Sequence, residues 1–270
     1  MSGERGLCAG LFYETMFWHD SVRQSPPLVL LPGLLSDGRQ VRRLARELGR
    51  RAVVIDPLGS GRSEVPPDPS AYLLPKLVPR LNAVLDLLGV LQADLVGMSM
   101  GGMWAQHALI DDAESRRFRC SLLIGSGAHI TPRMRSVMLG LRSMWQHDIP
   151  RIDSWRIFQA LLFSAEFLDR PSTIPLLELL ANDSRTSRQA ALCQLDAVLA
   201  HDPGEGLAMI HGVRCVLGGQ LDVLMPPSTQ SELAHALGGV PMEILPGAGH
   251  AVWLEQPTAL ARLMQAALPE

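Results

Sequence analysis

The sequence predicts an α/β fold in which helices cover both faces of a mostly parallel sheet, with a helical insertion. Short, continuously apolar runs alternate with amphipathic helical patterns over residues 27–124 and again over residues 214–267. This alternation is typical of parallel sheets that are buried on both faces. Between residues 131 and 204 only the helical pattern is present. The chain has 270 residues, 47% of them hydrophobic and 19% charged, which is enough for a large core.

The predicted strands are the short apolar runs that end in turn residues. Before the insertion, strands are predicted at residues 27–31, 51–56, 93–96 and 120–124, and helices at residues 41–48, 73–88 and 100–110. After it, strands are predicted at residues 214–217 and 242–245, and helices at residues 228–237 and 257–267. Near the amino terminus, the apolar and aromatic residues 10–13 and 16–18 are expected to pair as an antiparallel hairpin.

The insertion divides the predicted core domain, residues 1–130 and 205–270, from a helical segment, residues 131–204. Within it, apolar side chains recur at the spacing of one helix face: Met134, Val137, Met138, Leu141, Met144 and Trp145. Further helical candidates lie at residues 155–162, 175–180 and 187–199.

The composition of the chain limits the classes of molecule that it is expected to bind. The net charge of −3 gives no electrostatic basis for binding nucleic acid or an anionic membrane, and no run reaches the ~18 apolar residues of a membrane span. Four scattered cysteines without metal-ligand spacing are expected to be free thiols in a reducing compartment, so a cytoplasmic location is expected. A small-molecule substrate is the expected partner and a homodimer is allowed, with no cofactor and no metal.

The stretch from Asp94 to Gly102 leads an apolar strand into a serine between glycines and then into a helix. On such a turn the hydroxyl of Ser99 projects clear of the backbone, and the first amide of the helix points toward what it attacks. The pattern G-x-S-x-G is a weak signal by itself, because glycine and serine often meet in surface turns. Its meaning depends on whether the chain supplies an acid and a histidine.

Both are present at predicted strand ends. Asp222 follows the strand at residues 214–217, and His250 follows the strand at residues 242–245. In open α/β sheets, ligands bind outside the carboxyl ends of the strands. A serine becomes a useful nucleophile when a base takes its proton, and His250 is the candidate base, with Asp222 to orient and stabilise its ring. The order serine, aspartate, histidine is the one expected of an α/β-hydrolase.

Over nearly its whole length the sequence resembles the α/β-hydrolase family. The matching pieces are the elbow at residues 97–101, the D-x-x-G-x-G-x-S loop at residues 56–63, the G-x-x-D at residues 219–222, the Gly249-His250 pair and the helical insertion. The resemblance implies an eight-stranded sheet and makes the insertion a cap over the site. Where many members have His-Gly, this chain has Pro32-Gly33.

The predicted site has two further parts. For the oxyanion hole, the amide of Met100 follows the nucleophile directly, and the resemblance implies Leu34 as the second donor. For the substrate, Met98 beneath the site and Met138, Trp145 and Trp155 in the cap are expected to form an apolar surface.

These residues predict a serine hydrolase that cleaves a carboxylic ester, lactone or thioester of a medium-sized apolar substrate through an acyl-enzyme. The resemblance is to capped esterases, enol-lactonases and non-metal perhydrolases. A serine at residue 99 argues against dehalogenases and epoxide hydrolases, which need a carboxylate there. Two alternatives stay open: a carbon–carbon bond hydrolase or lyase with the same triad, and a natural-product pathway protein that binds or cyclises an intermediate without hydrolysis.

Overall fold

The computed structural model describes residues 3–18, 25–147, 149–182 and 185–269. Its strands, in chain order, are β1 (Arg5–Cys8), β2 (Leu11–Met16), β3 (Leu28–Leu31), β4 (Ala52–Asp56), β5 (Ala93–Met98), β6 (Phe118–Ile124), β7 (Val213–Gly219) and β8 (Met242–Leu245). They form one eight-stranded sheet in the order β1-β2-β4-β3-β5-β6-β7-β8. Strands β3 to β8 pair in parallel, and β1 and β2 join the edge antiparallel. The predicted α/β fold class is confirmed.

Helices follow most of the strands. Before the insertion they are α1 (Arg42–Leu48), α2 (Leu74–Leu87) and α3 (Met100–Asp111). Between β6 and β7 lie α4 (Pro132–Gln146), α5 (Arg151–Leu162), α6 (Ala165–Leu168), α7 (Ile174–Asn182) and α8 (Arg188–Leu199). The chain closes with α9 (Pro227–Ala236), α10 (Val252–Glu255) and α11 (Pro257–Ala267). Among the described residues, no helix combines the length and the apolar character that crossing a membrane requires.

The alternating residues of β3 show how the sheet is covered. Leu28 and Leu30 belong to a core cluster with apolar residues of α1 and α11, whereas Val29 and Leu31 pack with residues of α2 and α3. Since successive side chains of a strand point to opposite faces, the two clusters are the two sides of the sheet. This explains why the strand reads as a continuous apolar run rather than an alternating one.

The amino-terminal hairpin exists, but its predicted strands were wrong. Residues 5–8 pair with residues 11–14 of the second strand, whereas the prediction paired residues 10–13 with residues 16–18. The reversal occurs at Ala9 and Gly10, which both have positive φ, 49° and 83°. A two-residue turn of this kind matches the twist of the flanking strands and therefore sets the register. The second strand ends at Met16, and Phe17 has a φ of 55°.

Within its described residues the insertion contains helices and short connections but no strand, as the sequence predicts, and α4 begins directly after the N-cap residue Thr131. The side chains of Thr131, Ser164 and Ser187 each accept a hydrogen bond from the third amide of the following helix, which fixes three helix starts. The division of the chain into a core domain and a cap at residues 131 and 204 stays a prediction.

Candidate active site

The serine elbow is built by close backbone packing. Ser99 has φ 53° and ψ −120°, and helix α3 begins at the next residue. The amide of Ser99 donates to the carbonyl of Ile124 on the neighbouring strand at 2.8 Å. A Cβ at Gly97 would overlap the carbonyl of Gly101, and a Cβ at Gly101 would overlap the carbonyl of Leu31. The glycines of the G-x-S-x-G pattern are therefore required by the tight passage from β5 to α3.

Ser99, His250 and Asp222 form one hydrogen-bonded chain. The Oγ of Ser99 lies 2.9 Å from Nε2 of His250, and Nδ1 of His250 lies 2.8 Å from Oδ2 of Asp222. The three residues are 8%, 2% and 3% exposed, so the chain is shielded from water. Because Nδ1 faces a carboxylate, it carries the ring proton, which leaves Nε2 to accept the hydrogen bond of the serine.

Backbone amides hold the carboxylate of Asp222 in place. Its Oδ1 accepts hydrogen bonds from the amides of Leu224 at 2.9 Å and Met225 at 2.8 Å. Its Oδ2 faces His250, with Nε2 of Gln230 at 3.5 Å. Oδ1 thus anchors the side chain to the backbone, and Oδ2 meets the imidazole and accepts from Gln230.

The His250 loop is tied to the insertion through Glu255, a residue that the sequence analysis did not single out. One carboxylate oxygen accepts from the amides of Gly249 at 2.9 Å and Ser164 at 3.0 Å, and the other accepts from the Ser164 hydroxyl at 2.6 Å. The amide of Ala251 also donates to the carbonyl of Leu162 at 2.9 Å. These bonds link the loop that carries the imidazole to the junction of α5 and α6.

The two amides predicted to stabilise an oxyanion lie on the loop after β3 and at the start of α3. Neither the Leu34 amide nor the Met100 amide has a hydrogen-bond acceptor among the residues that the structure describes. A Cβ added to Gly33 would lie 3.1 Å from the Cβ of Ser99, so the loop passes directly beside the nucleophile. Donors at this place could bind a negatively charged oxygen.

A small apolar cavity covers Ser99. Its volume is about 20 Å³, room for about one water molecule. Polar atoms come from Ser36 and Gln40, beside Ser99 and His250. The large side chains of its wall come from the insertion and the His250 loop: Trp155, Phe158, Leu162, Phe163, Leu180, Trp253 and Leu254.

A wider groove of about 250 Å³ adjoins this cavity, and Gln40, Leu180, Trp253 and Leu254 line both. Its lining includes the apolar side chains of Leu176 and Leu179 on α7 and the charged residues Asp37, Arg39 and Arg43. The groove thus shares part of its wall with the cavity that covers Ser99.

The four predicted substrate contacts divide. Trp155 lines the cavity, but Met98, Met138 and Trp145 are not among its lining residues. Met98 is the last residue of β5 and is buried in the core cluster on the α1 and α11 side, whereas Met138 and Trp145 on α4 are buried in the cluster on the α2 and α3 side. The substrate contacts of these three residues therefore stay a prediction. The cavity residues Phe158 and Leu162 share the helix face of Trp155 at i+3 and i+7, a signal that the sequence did contain.

His201, at the end of the insertion, is 4% exposed, and its ring meets that of His107 edge to face at 5.3 Å. Burial, with the neighbouring His107, lowers the pKa of His201 to about 3. It does not line the cavity over Ser99. Within the described ranges, no group of three His, Cys, Asp or Glu residues could hold a metal ion.

Replacing His201 with leucine is expected to make the protein less sensitive to acid. The unfolded chain binds a proton at this histidine near its ordinary pKa, while the folded chain does not until about pH 3, so folding stability falls as pH drops through that window. Between pH 7.5 and 5 this amounts to about 2 kcal/mol. Urea unfolding at both pH values measures it, with the exposed His235→Gln as the control. Equal pH dependence in His201→Leu and wild type would contradict the assignment.

Comparisons with known proteins show which family the chain resembles in sequence and fold. The curated proline iminopeptidase of Lactobacillus helveticus (strain DPC 4571) is 38% identical over 99 residues, 34% of this chain and 34% of that protein. The 2-hydroxymuconate semialdehyde hydrolase of Pseudomonas sp. (strain CF600) is 26% identical over 227 residues, 80% of this chain and 75% of that protein. The chain spans only about a third to two-fifths of the length of the first curated relatives it matches.

The crystal structure of the enol-lactonase from Burkholderia xenovorans LB400 superimposes with a TM-score of 0.85 at 21% identity, covering 99% of this chain and 100% of that one. At that identity the likeness shows the fold. The model described as "Alpha/beta hydrolase family" matches residues 28–263, from β3 into α11. The chain belongs to the alpha/beta hydrolase family.

Proposed function

We propose that this protein is a cytoplasmic serine hydrolase that cleaves a carboxylic ester, lactone or thioester through an acyl-enzyme on Ser99. The observation that carries the proposal is the buried chain from the Ser99 hydroxyl to Nε2 of His250 and from Nδ1 to Asp222, at 2.9 and 2.8 Å. A base within this reach can take the serine proton during attack. The four free cysteines support the reducing compartment.

In the proposed reaction, Oγ of Ser99 attacks the acyl carbon while its proton moves to Nε2 of His250. The carbonyl oxygen becomes an oxyanion that accepts hydrogen bonds from the Leu34 and Met100 amides. The intermediate collapses, the bond to the leaving group breaks, and His250 returns the proton to the departing oxygen or sulfur. Water then attacks the acyl-enzyme with His250 again as base, which releases the acid and restores Ser99.

The substrate is proposed to be medium-sized and largely apolar, under a cap formed by residues 131–204. The cavity over Ser99 is lined mostly by aromatic and aliphatic side chains but holds only about one water molecule, at about 20 Å³. The adjoining groove of about 250 Å³ provides the remaining space. We therefore place the reacting carbonyl in the cavity and an elongated apolar portion in the groove beside α7.

Turnover of p-nitrophenyl esters tests the proposal. The expected result is a kcat/KM that rises from the acetate toward neutral esters of six to ten carbons, since each buried methylene adds about 0.8 kcal/mol. Activity confined to short, charged esters would count against the apolar site. A fluorophosphonate probe followed by peptide mapping is expected to label Ser99, because such probes react with activated serines.

Replacing Leu179 with aspartate tests the groove. This side chain lies on the groove wall and is 57% exposed, so the fold should tolerate the change. We expect about a tenfold loss of kcat/KM for the decanoate and less than a twofold loss for the acetate, because only the longer chain reaches the groove. Leu139→Asp is the matched control, since Leu139 is 49% exposed on α4 and lies outside the groove. Equal effects of the two variants on the decanoate would remove the groove from the proposal.

A second candidate function is hydrolysis of a carbon–carbon bond. The similarity to 2-hydroxymuconate semialdehyde hydrolase covers 80% of this chain, whereas the similarity to the proline iminopeptidase covers about a third. The longer match supports carbon–carbon bond hydrolysis as a candidate. The discriminating measurement compares kcat/KM for a dienone-type diketone with that for the best ester. A higher value for the diketone would favour the second candidate. Inactivity of wild type on both classes would leave only a binding or cyclising role, without hydrolysis.

A further inference from the structure

A buried glutamine of the insertion forms hydrogen bonds to two loops that follow strands of the sheet, on the side where the candidate site lies. Gln194 on α8 is 2% exposed. Its Oε1 accepts from the amide of Leu35 at 3.0 Å, and its Nε2 donates to the carbonyl of Leu58 at 2.7 Å and to Oγ of Ser60 at 3.0 Å. One side chain thus bonds to the loop after β3 and to the loop after β4, although both are more than a hundred residues away in sequence.

The first of these loops is the one that presents the proposed oxyanion donor. The amide of Ser36 donates to the carbonyl of Gly33 at 3.3 Å, which closes a turn over residues 33–36. The Gly33 carbonyl and the Leu34 N–H belong to the same planar peptide and point in opposite directions. This turn therefore sets the direction of the Leu34 N–H.

The turn contains a residue that is poorly suited to its place. Leu35, at the third position, has a φ of 56°, where a turn favours glycine. A buried leucine keeps such a conformation only when its surroundings impose it. Leu35 is 4% exposed, and its N–H donates the hydrogen bond that Oε1 of Gln194 accepts. The side chain of Gln194 thus holds the strained residue of the turn at its N–H.

We infer that Gln194 is a positioning residue for the proposed hydrolase reaction, acting through Leu35 to orient the Leu34 amide toward the oxyanion. The inference rests on the proposed function of Ser99 and goes beyond it, because it makes a helix of the insertion part of the transition-state support. Gln194 itself lies outside the residues that line the cavity over Ser99. Its effect is therefore on the rate rather than on substrate contact.

The test is a pair of variants with the concentration of reactive Ser99 measured by fluorophosphonate titration. Gln194→Met keeps the length of the side chain and removes its hydrogen bonds. Its kcat per titrated site is expected to fall about 10- to 100-fold, a part of what a lost oxyanion donor costs, with KM within threefold. Inhibition by an alkyl trifluoromethyl ketone, which forms an oxyanion on the serine, should weaken by the same factor as kcat/KM. Gln194→Glu keeps an acceptor oxygen for Leu35 and should have the higher kcat of the two.

Gln106→Met is the matched control. Gln106 is another fully buried amide, on α3, and its Nε2 donates to the carbonyl of Gly127 at 3.0 Å. The Gln106→Met variant should have a lower thermal stability than wild type and an unchanged kcat per titrated site. A Gln194→Met variant that loses only stability, with wild-type kcat and ketone inhibition, overturns the inference and leaves the proposed function standing. A wild type without Ser99-dependent turnover overturns both.

Discussion

Replacing Ser99 with alanine is expected to lower kcat by about 10⁵- to 10⁶-fold, close to the loss seen when a catalytic serine is removed from a hydrolase. The reason is that, among the described residues, Ser99 alone places a hydroxyl at hydrogen-bond distance from Nε2 of His250, at 2.9 Å. The remaining rate would come from binding and the oxyanion donors alone. The measurement is kcat on the best ester of the chain-length series, together with loss of fluorophosphonate labelling.

Ser126→Ala is the control for that experiment. Ser126 is also buried, also lies between two glycines, and also follows a strand of the sheet, but within the described part of the chain its Oγ accepts from Nε2 of Gln106, at 3.5 Å, and meets no histidine. It has no helix start and no imidazole, so kcat should change by less than threefold. A Ser99→Ala enzyme with more than a hundredth of wild-type activity would show that the acyl group is carried elsewhere.

Replacing Asp222 with asparagine is expected to lower kcat by about 10⁴-fold at neutral pH, with little change in fold. The amides of Leu224 and Met225 both donate to Oδ1, so the asparagine oxygen must occupy that place. The new NH2 group then faces Nδ1 of His250 and requires it to accept a hydrogen bond. The ring proton moves to Nε2, which can no longer take the proton of Ser99.

The matched control is Asp112→Asn. Asp112 is 9% exposed and also accepts from two backbone amides, those of Arg117 and Phe118, both at 2.9 Å. It lies between α3 and β6, before the strand begins, at the opposite edge of the sheet from the site. This variant should cost stability without lowering kcat. An Asp222→Asn enzyme within tenfold of wild type would assign the orientation of His250 to some other group.

The sheet and the chemical core of the site could be predicted from the sequence because each has a local signal. Runs such as residues 28–31 are apolar without interruption because both faces of the strand are covered. Ser99, Asp222 and His250 each follow a strand, and the carboxyl ends of parallel strands meet at one edge of a sheet. Their meeting within 3 Å therefore required no knowledge of the loops.

The walls of the site could not be predicted in the same way. Trp145 and Trp155 both lie on apolar helix stripes and both pack in the same core cluster, but Trp155 also lines the cavity and Trp145 does not. Periodicity shows that a helix face is buried, not which neighbour covers it. The contacts of Gln194 depend on the path of the chain between α4 and α8, and a lone buried glutamine has no sequence signature. The prediction of the hairpin failed for another reason. The turn at residues 9–10 sets the register of the two strands, and the aromatic residues do not.

The backbone angle of Ser99 has a consequence for the evolution of this chain. A side chain at φ 53° and ψ −120° costs about 1–3 kcal/mol, which glycine would avoid almost entirely. A protein selected for stability alone would therefore favour glycine at residue 99. Since native proteins are typically stable by only about 5–15 kcal/mol, a cost of this size at one position is a noticeable part of such a margin. Stability and activity trade off at this proposed nucleophile, because the same dihedral angles that weaken the fold hold its hydroxyl 2.9 Å from Nε2 of His250.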